Sequence, residues 1–164
     1  MNPAHWHLLL NHIPVIGTFL GVLLLLYGLA RKSDEVKQAS LGILVMAAVV
    51  AIPAFLTGEP AEEIAEHLPG VSHAVIERHE DIAKIALILM SLTGIIALVG
   101  LFLRQRAQWL VPMALVFGLI SAGAMGYAAN LGGQVRHTEI RSDGAAASTS
   151  AIEGQRKPEH KDDH

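Results

Sequence analysis

The stretch HWHLLLNHIPVIG, residues 5–17, sets His5, His7, His12 and the amide of Asn11 at the head of an apolar run. Further along, ERHE carries His79 and GGQVRH ends on His137. Neutral imidazole from two facing helices is what a six-coordinate haem iron needs, and a haem-bearing bundle also needs small residues that let a flat macrocycle enter. The axial candidates are His12 or His7, His79 and His137, with Arg78 and Arg136 near enough in sequence to pair with anionic propionates. Asn11 can turn inward in place of His7 or His12 and joins the cofactor-binding candidates, as does Asn130, which with Glu63 is a candidate for orienting the imidazoles.

A simple divalent ion is the other chemistry these residue types allow. Glu63 and His67 stand one turn apart, and His79 or Glu80 supplies a further donor. The HExxH and Glu-x-x-His patterns are absent, and the lack of any cysteine excludes thiolate sites, disulfides and iron-sulfur ligation. No Ser or Cys nucleophile with a paired base and no phosphate-binding Gly loop is found, so a catalytic role ranks below ligand binding. A formal charge of -3 implies no nucleic-acid partner.

The elements that must position these groups are helices in lipid. Of 164 residues 52% are apolar and only 16% charged, against roughly a quarter charged in soluble domains. Four windows, Leu8–Leu29, Leu41–Leu56, Ile85–Leu103 and Leu110–Leu131, are long enough to cross a bilayer. The first lacks a basic leader and is too long for a signal, so it reads as a retained anchor. Arg31, Lys32, Lys37, Arg104 and Arg106 fall between spans one and two or three and four, which predicts both termini on the periplasmic side of a bacterial inner membrane.

Proline bends are expected at Pro14 and Pro53, which free the carbonyls of Leu10 and Val49. PAEEIAEHL, Pro60–Leu68, reads as a short surface helix with Ala61, Ile64, Ala65 and Leu68 on one side, capping the outer opening. Small residues mark the inward faces. They are Gly17 and Gly21 in span one, Ser40, Ala47, Ala51, Ala54 and Gly58 in span two, Ala83, Ala86, Met90, Thr93 and Ala97 in span three, and Gly123, Gly126, Asn130 and Gly133 in span four. One turn back from Ala83 lies His79, on the bundle side. The predicted architecture is all-α: a four-helix antiparallel transmembrane bundle over 1–141, with a disordered polar tail over 142–164.

Each feature also has a plainer role. GTFLG is most often a packing motif, Trp6 and Trp109 are interfacial anchors, and histidines beyond the lipid are often just solvated. The competing functions are therefore a haem b or metal protein passing electrons to a periplasmic or membrane redox partner, and a cofactor-free subunit docking a periplasmic partner. The blocks LLNHIPVIGT, LTGEPAEE, ERHE and NLGGQVRHTEIR together resemble a group of small bacterial inner-membrane proteins with four helices. That resemblance covers about residues 1–141 and implies the architecture without a particular activity. A looser similarity, of architecture alone, is to histidine-bearing four-helix membrane domains that hold b-type haem.

Overall fold

The computed structural model describes residues 2–103, 106, 108–137, 140 and 141, so the tail expected over 142–164 lies outside the described residues. Helices are α1 (Pro3–Leu10), α2 (His12–Ala30), α3 (Asp34–Leu56), α4 (Gly58–Ala65), α5 (His73–Leu103) and α6 (Leu110–Arg136), with no strand among the described residues. Four segments are long and apolar enough to cross a membrane: Pro3–Ala30, Asp34–Leu56, His73–Leu103 and Leu110–Arg136.

Local chemistry sets the ends. Asn2 caps α1 by accepting from the His5 N–H at 3.0 Å, with Pro3 at the first helical position. Between α2 and α3 the chain reverses tightly. Ser33 N–H reaches Gly28 O, Lys32 N–H reaches Leu29 O, and Lys32 takes φ 52°, the left-handed cap that ends many helices. Ser33 then caps α3, whose first turn carries Asp34 and Glu35.

Close helix contacts follow the small residues. A Cβ on Gly17 would stand 3.1 Å from Ala47 Cβ, and one on Gly21 2.8 Å from Leu44 Cδ2. Gly94 lies directly against Ala48, joining α5 to α3, and Gly118 lies against Val22, joining α6 to α2. Leu25, Leu44 and Met90 are fully buried among these contacts. In the middle of the bundle the polar side chains satisfy one another: Thr93 Oγ1 is 2.9 Å from Ser121 Oγ, and Thr18 Oγ1 donates to Pro14 O at 2.6 Å. The outward faces are apolar, with Phe102 80%, Leu23 63% and Met46 62% exposed, as suits contact with hydrocarbon.

Two expectations are corrected here. On α6 the buried stripe is Ala114, Gly118, Ser121, Met125 and Ala128, while Gly123 and Asn130 are exposed. Asn130 avoids the cost of an unpaired amide locally, its Oδ1 accepting from Gln134 Nε2 at 2.7 Å one turn on. The apolar side of α4 does not seal the opening either. Ala61 and Ala65 are half-buried, but Ile64 and Leu68 are exposed, and the helix packs chiefly on α1. α4 ends at Ala65, so Leu68 falls beyond the helix.

Candidate functional site

The site is built at the end of the bundle that carries α1, α4 and the last turns of α6. His7, half-buried on α1, places its Nδ1 3.0 Å from the carbonyl of Ala54. That carbonyl is free to take it because α3 breaks at Thr57, leaving terminal carbonyls in need of donors. The Thr57 hydroxyl shares the task, donating to Ala54 O at 2.9 Å and standing 3.4 Å from the same His7 nitrogen.

His79, on the second turn of α5, is arranged in the same way against α6. Its Nδ1 lies 2.9 Å from Ala128 O. The ring packs on Gly132, where a Cβ would come within 3.1 Å of Cε1, so a larger residue would have to push the ring back. A carbonyl accepts and cannot donate, so in each neutral ring Nδ1 carries the proton and Nε2 keeps its lone pair. A second-row hydrogen bond of this kind is what orients metal-ligating histidines.

The two rings belong to one region. Thr18 Oγ1 meets Met90 Sδ at 3.1 Å across the bundle, and eleven residues before each of these stand His7 and His79. The two imidazoles are within electrostatic reach of each other. His79 thus faces the bundle, on the stripe of Ala86, Met90, Thr93 and Ala97, all buried.

Other candidates lie elsewhere. His12 is exposed and its Nδ1 donates to Leu8 O at 2.9 Å across the break at Asn11, so it does not turn inward. His137 is the exposed cap residue of α6. His67 is exposed and donates to the backbone carbonyl of Glu63 at 2.7 Å, leaving the exposed Glu63 carboxylate outside that contact. Glu80 pairs with Lys84 at 2.9 Å. Among the described residues no group of three or more His, Cys, Asp or Glu has metal-holding geometry, so His67, Glu63 and Glu80 are not brought together. Arg78 sits over the Tyr127 ring at 5.7 Å, a cation–π contact, and Arg136 is exposed.

Three residues escaped sequence reasoning. Gly132 was hidden in a pair of glycines that the wrong α6 stripe passed over, and Thr57 read only as a helix end. Arg141, buried to 6% exposure, sends Nε to Gln134 O at 2.6 Å, Nη1 to Gly70 O at 2.9 Å and Nη2 to Val135 O at 2.8 Å. Gly70 presents its carbonyl from a turn at φ 79°. A lone arginine past a span carries no periodic signal that could have shown this.

An apolar groove of about 440 Å³ runs between α2 and α3, lined by Ile13, Gly17, Gly42, Met46 and Val50. Its lining is almost wholly apolar, which offers little to fix the orientation of a ligand. No family model, curated protein or solved structure matches this chain.

Proposed function

We propose that this is a multi-pass protein of the bacterial inner membrane with both termini in the periplasm, whose His7 and His79 hold haem b iron or a single metal ion for electron transfer. In this proposal the four long helices form an antiparallel bundle and α4 lies at the membrane interface. Support for the arrangement comes from contact pairs such as Gly17–Ala47, Gly21–Leu44 and Gly28–Lys37, whose numbers rise on α2 as they fall on α3. The exposed Ile64 and Leu68 suit entry into a headgroup layer. The observation that carries the functional reading is the pair of imidazoles in register, each tied through Nδ1 to a backbone carbonyl and each keeping Nε2 for a ligand.

Bound iron would supply one-electron chemistry at a potential set by its axial ligands and burial. This chain's own residues fix the two rings, through Ala54 and Ala128, and keep bulk away from them with Gly58 and Gly132. The test is the optical spectrum of the detergent-purified protein after addition of haem and, separately, of Co(II). A Soret band or Co(II) d–d bands should appear and be lost in both His7→Ala and His79→Ala. Absence of both signals in the parent chain removes the reading.

The second reading, a cofactor-free subunit that docks a periplasmic partner, draws on the exposed carboxylates Glu59, Glu63 and Glu66 along α4. It predicts a copurifying basic partner that Glu63→Lys with Glu66→Lys releases. A reproducible monomer with no bound protein ends it.

A further inference from the structure

Asn11 Oδ1 is the one buried side-chain polar atom without a hydrogen-bond partner among the described residues. An amide in an apolar helix is costly unless paired, and a buried acceptor left unsatisfied destabilises the fold. Asn130, the comparable amide on α6, has its partner in Gln134. The Asn11 oxygen therefore calls for a group that the chain itself does not supply.

Its position names the place of that group. Asn11 keeps helical geometry, and its N–H donates to His7 O at 2.9 Å. Residues four apart share a helix face, so the Asn11 side chain lies beneath His7, about 6 Å further along the axis. In the register defined by Thr18 and Met90, the residue opposite Asn11 on α5 is Ala83, one turn below His79. Ala83 thus sets no polar group of its own opposite the amide.

We propose that Asn11 Oδ1 is the third donor of a divalent-cation site whose other donors are His7 Nε2 and His79 Nε2, with water completing the shell. This rests on the histidine reading above and narrows it from a haem to a compact ion. Two imidazole nitrogens and an amide oxygen suit a divalent first-row transition metal. The α6 backbone already packed on the His79 ring at Gly132 favours an ion over a macrocycle, which would have to part the helices. The Glu80 carboxylate, paired with Lys84, is engaged elsewhere.

Co(II) titration of the detergent-purified full chain tests the assignment. The parent chain should bind one Co(II) with d–d bands. Asn11→Leu should weaken binding about tenfold or more and shift those bands, as loss of a donor does. Asn11→Asp should tighten it, because a carboxylate then occupies the donor position, and this variant carries the test should the leucine form fail to fold. Unchanged affinity and spectrum in the folded variants would overturn the proposal, as would an Asn11→Leu form that melts higher while binding Co(II) equally well. Haem binding dependent on His7 and His79 without Co(II) binding would overturn it and leave the histidine reading standing. Binding of neither would remove both.

Discussion

The middle of the bundle and its histidine end use polar groups in opposite ways. In the middle, Thr93 meets Ser121, Thr18 meets Pro14 O and Met90 Sδ, and Gly21, Gly94 and Gly118 bring helices together until an added Cβ would clash. Every polar atom there has a partner within the chain, so the polarity is structural, joining helices that have no hydrophobic drive to associate in lipid. At the histidine end each imidazole spends one nitrogen on a backbone carbonyl and retains the other, and Asn11 Oδ1 has no partner at all. Satisfied polarity holds a bundle together. Unspent polarity is what the proposed ligand site rests on.

The largest effect should come from breaking the packed half of that comparison. Gly94 lies directly against Ala48 Cβ, so Gly94→Leu must force α5 away from α3. Overpacking of this kind costs about 1–3 kcal/mol or more, and the melting temperature in detergent should fall accordingly. Ala48→Gly should restore much of the loss to Gly94→Ala, since it removes the atom in conflict. Equal melting of Gly94→Leu and the parent chain would mean that the two helices are not in contact here.

How far this was legible in sequence differs between the two regions for a physical reason. Helix number, the α4 helix and the inward face of α5 follow from apolar length, proline and glycine stops, and the Ala86-Met90-Thr93-Ala97 stripe, all of which are local. His79 could be placed because it continues that stripe by one turn. The α6 face could not be read, because apolar residues surround the whole helix and small residues occur on two sides of it. Asn130 then drew the choice the wrong way, since nothing in sequence shows that Gln134 already satisfies it. The choice among His7, Asn11 and His12 depended on the rotation of α1 about its axis, which Ala54 and Thr57 on a distant helix decide.

A middle-sized effect should come from the clamp between the end of α6 and the turn that follows α4. Arg141 donates to three carbonyls and finds no carboxylate among the described residues, its charge lying instead at the negative end of α6. Hydrogen bonds from a charged donor contribute about 1.5–3 kcal/mol each at most, so Arg141→Ala should free the 69–72 turn. Hydrogen exchange there should quicken while the α3 and α5 core stays protected. Arg141→Lys should not rescue it, because a point charge cannot span three carbonyls as a planar fork does. Gly70→Ala, which strains the turn at φ 79°, should loosen the same contact by another route. Were neither variant to change exchange in the turn, the clamp would be of no consequence.

The smallest effect concerns the acidity of α4, and it sharpens the contrast by showing that the histidine end responds to protons. Partial burial raises the Glu62 carboxyl above its usual 4.5, and the nearby Glu80, Glu66 and Glu59 charges add to this while Lys84 opposes it. The folded chain thus holds that proton more tightly than the unfolded chain does. The sign follows from linkage: the associated stability is fully present below about the ordinary carboxyl value and is lost as pH rises through the raised one. Exchange protection of α4 should therefore decline on going from acidic to neutral pH, and Glu62→Gln should flatten much of that decline by keeping a neutral side chain throughout. Because Glu62 is only half-buried and water screens its neighbours, the change should be confined to α4 and its flanks. A pH response in the Glu62→Gln chain as steep as the parent's would assign the sensitivity to other groups.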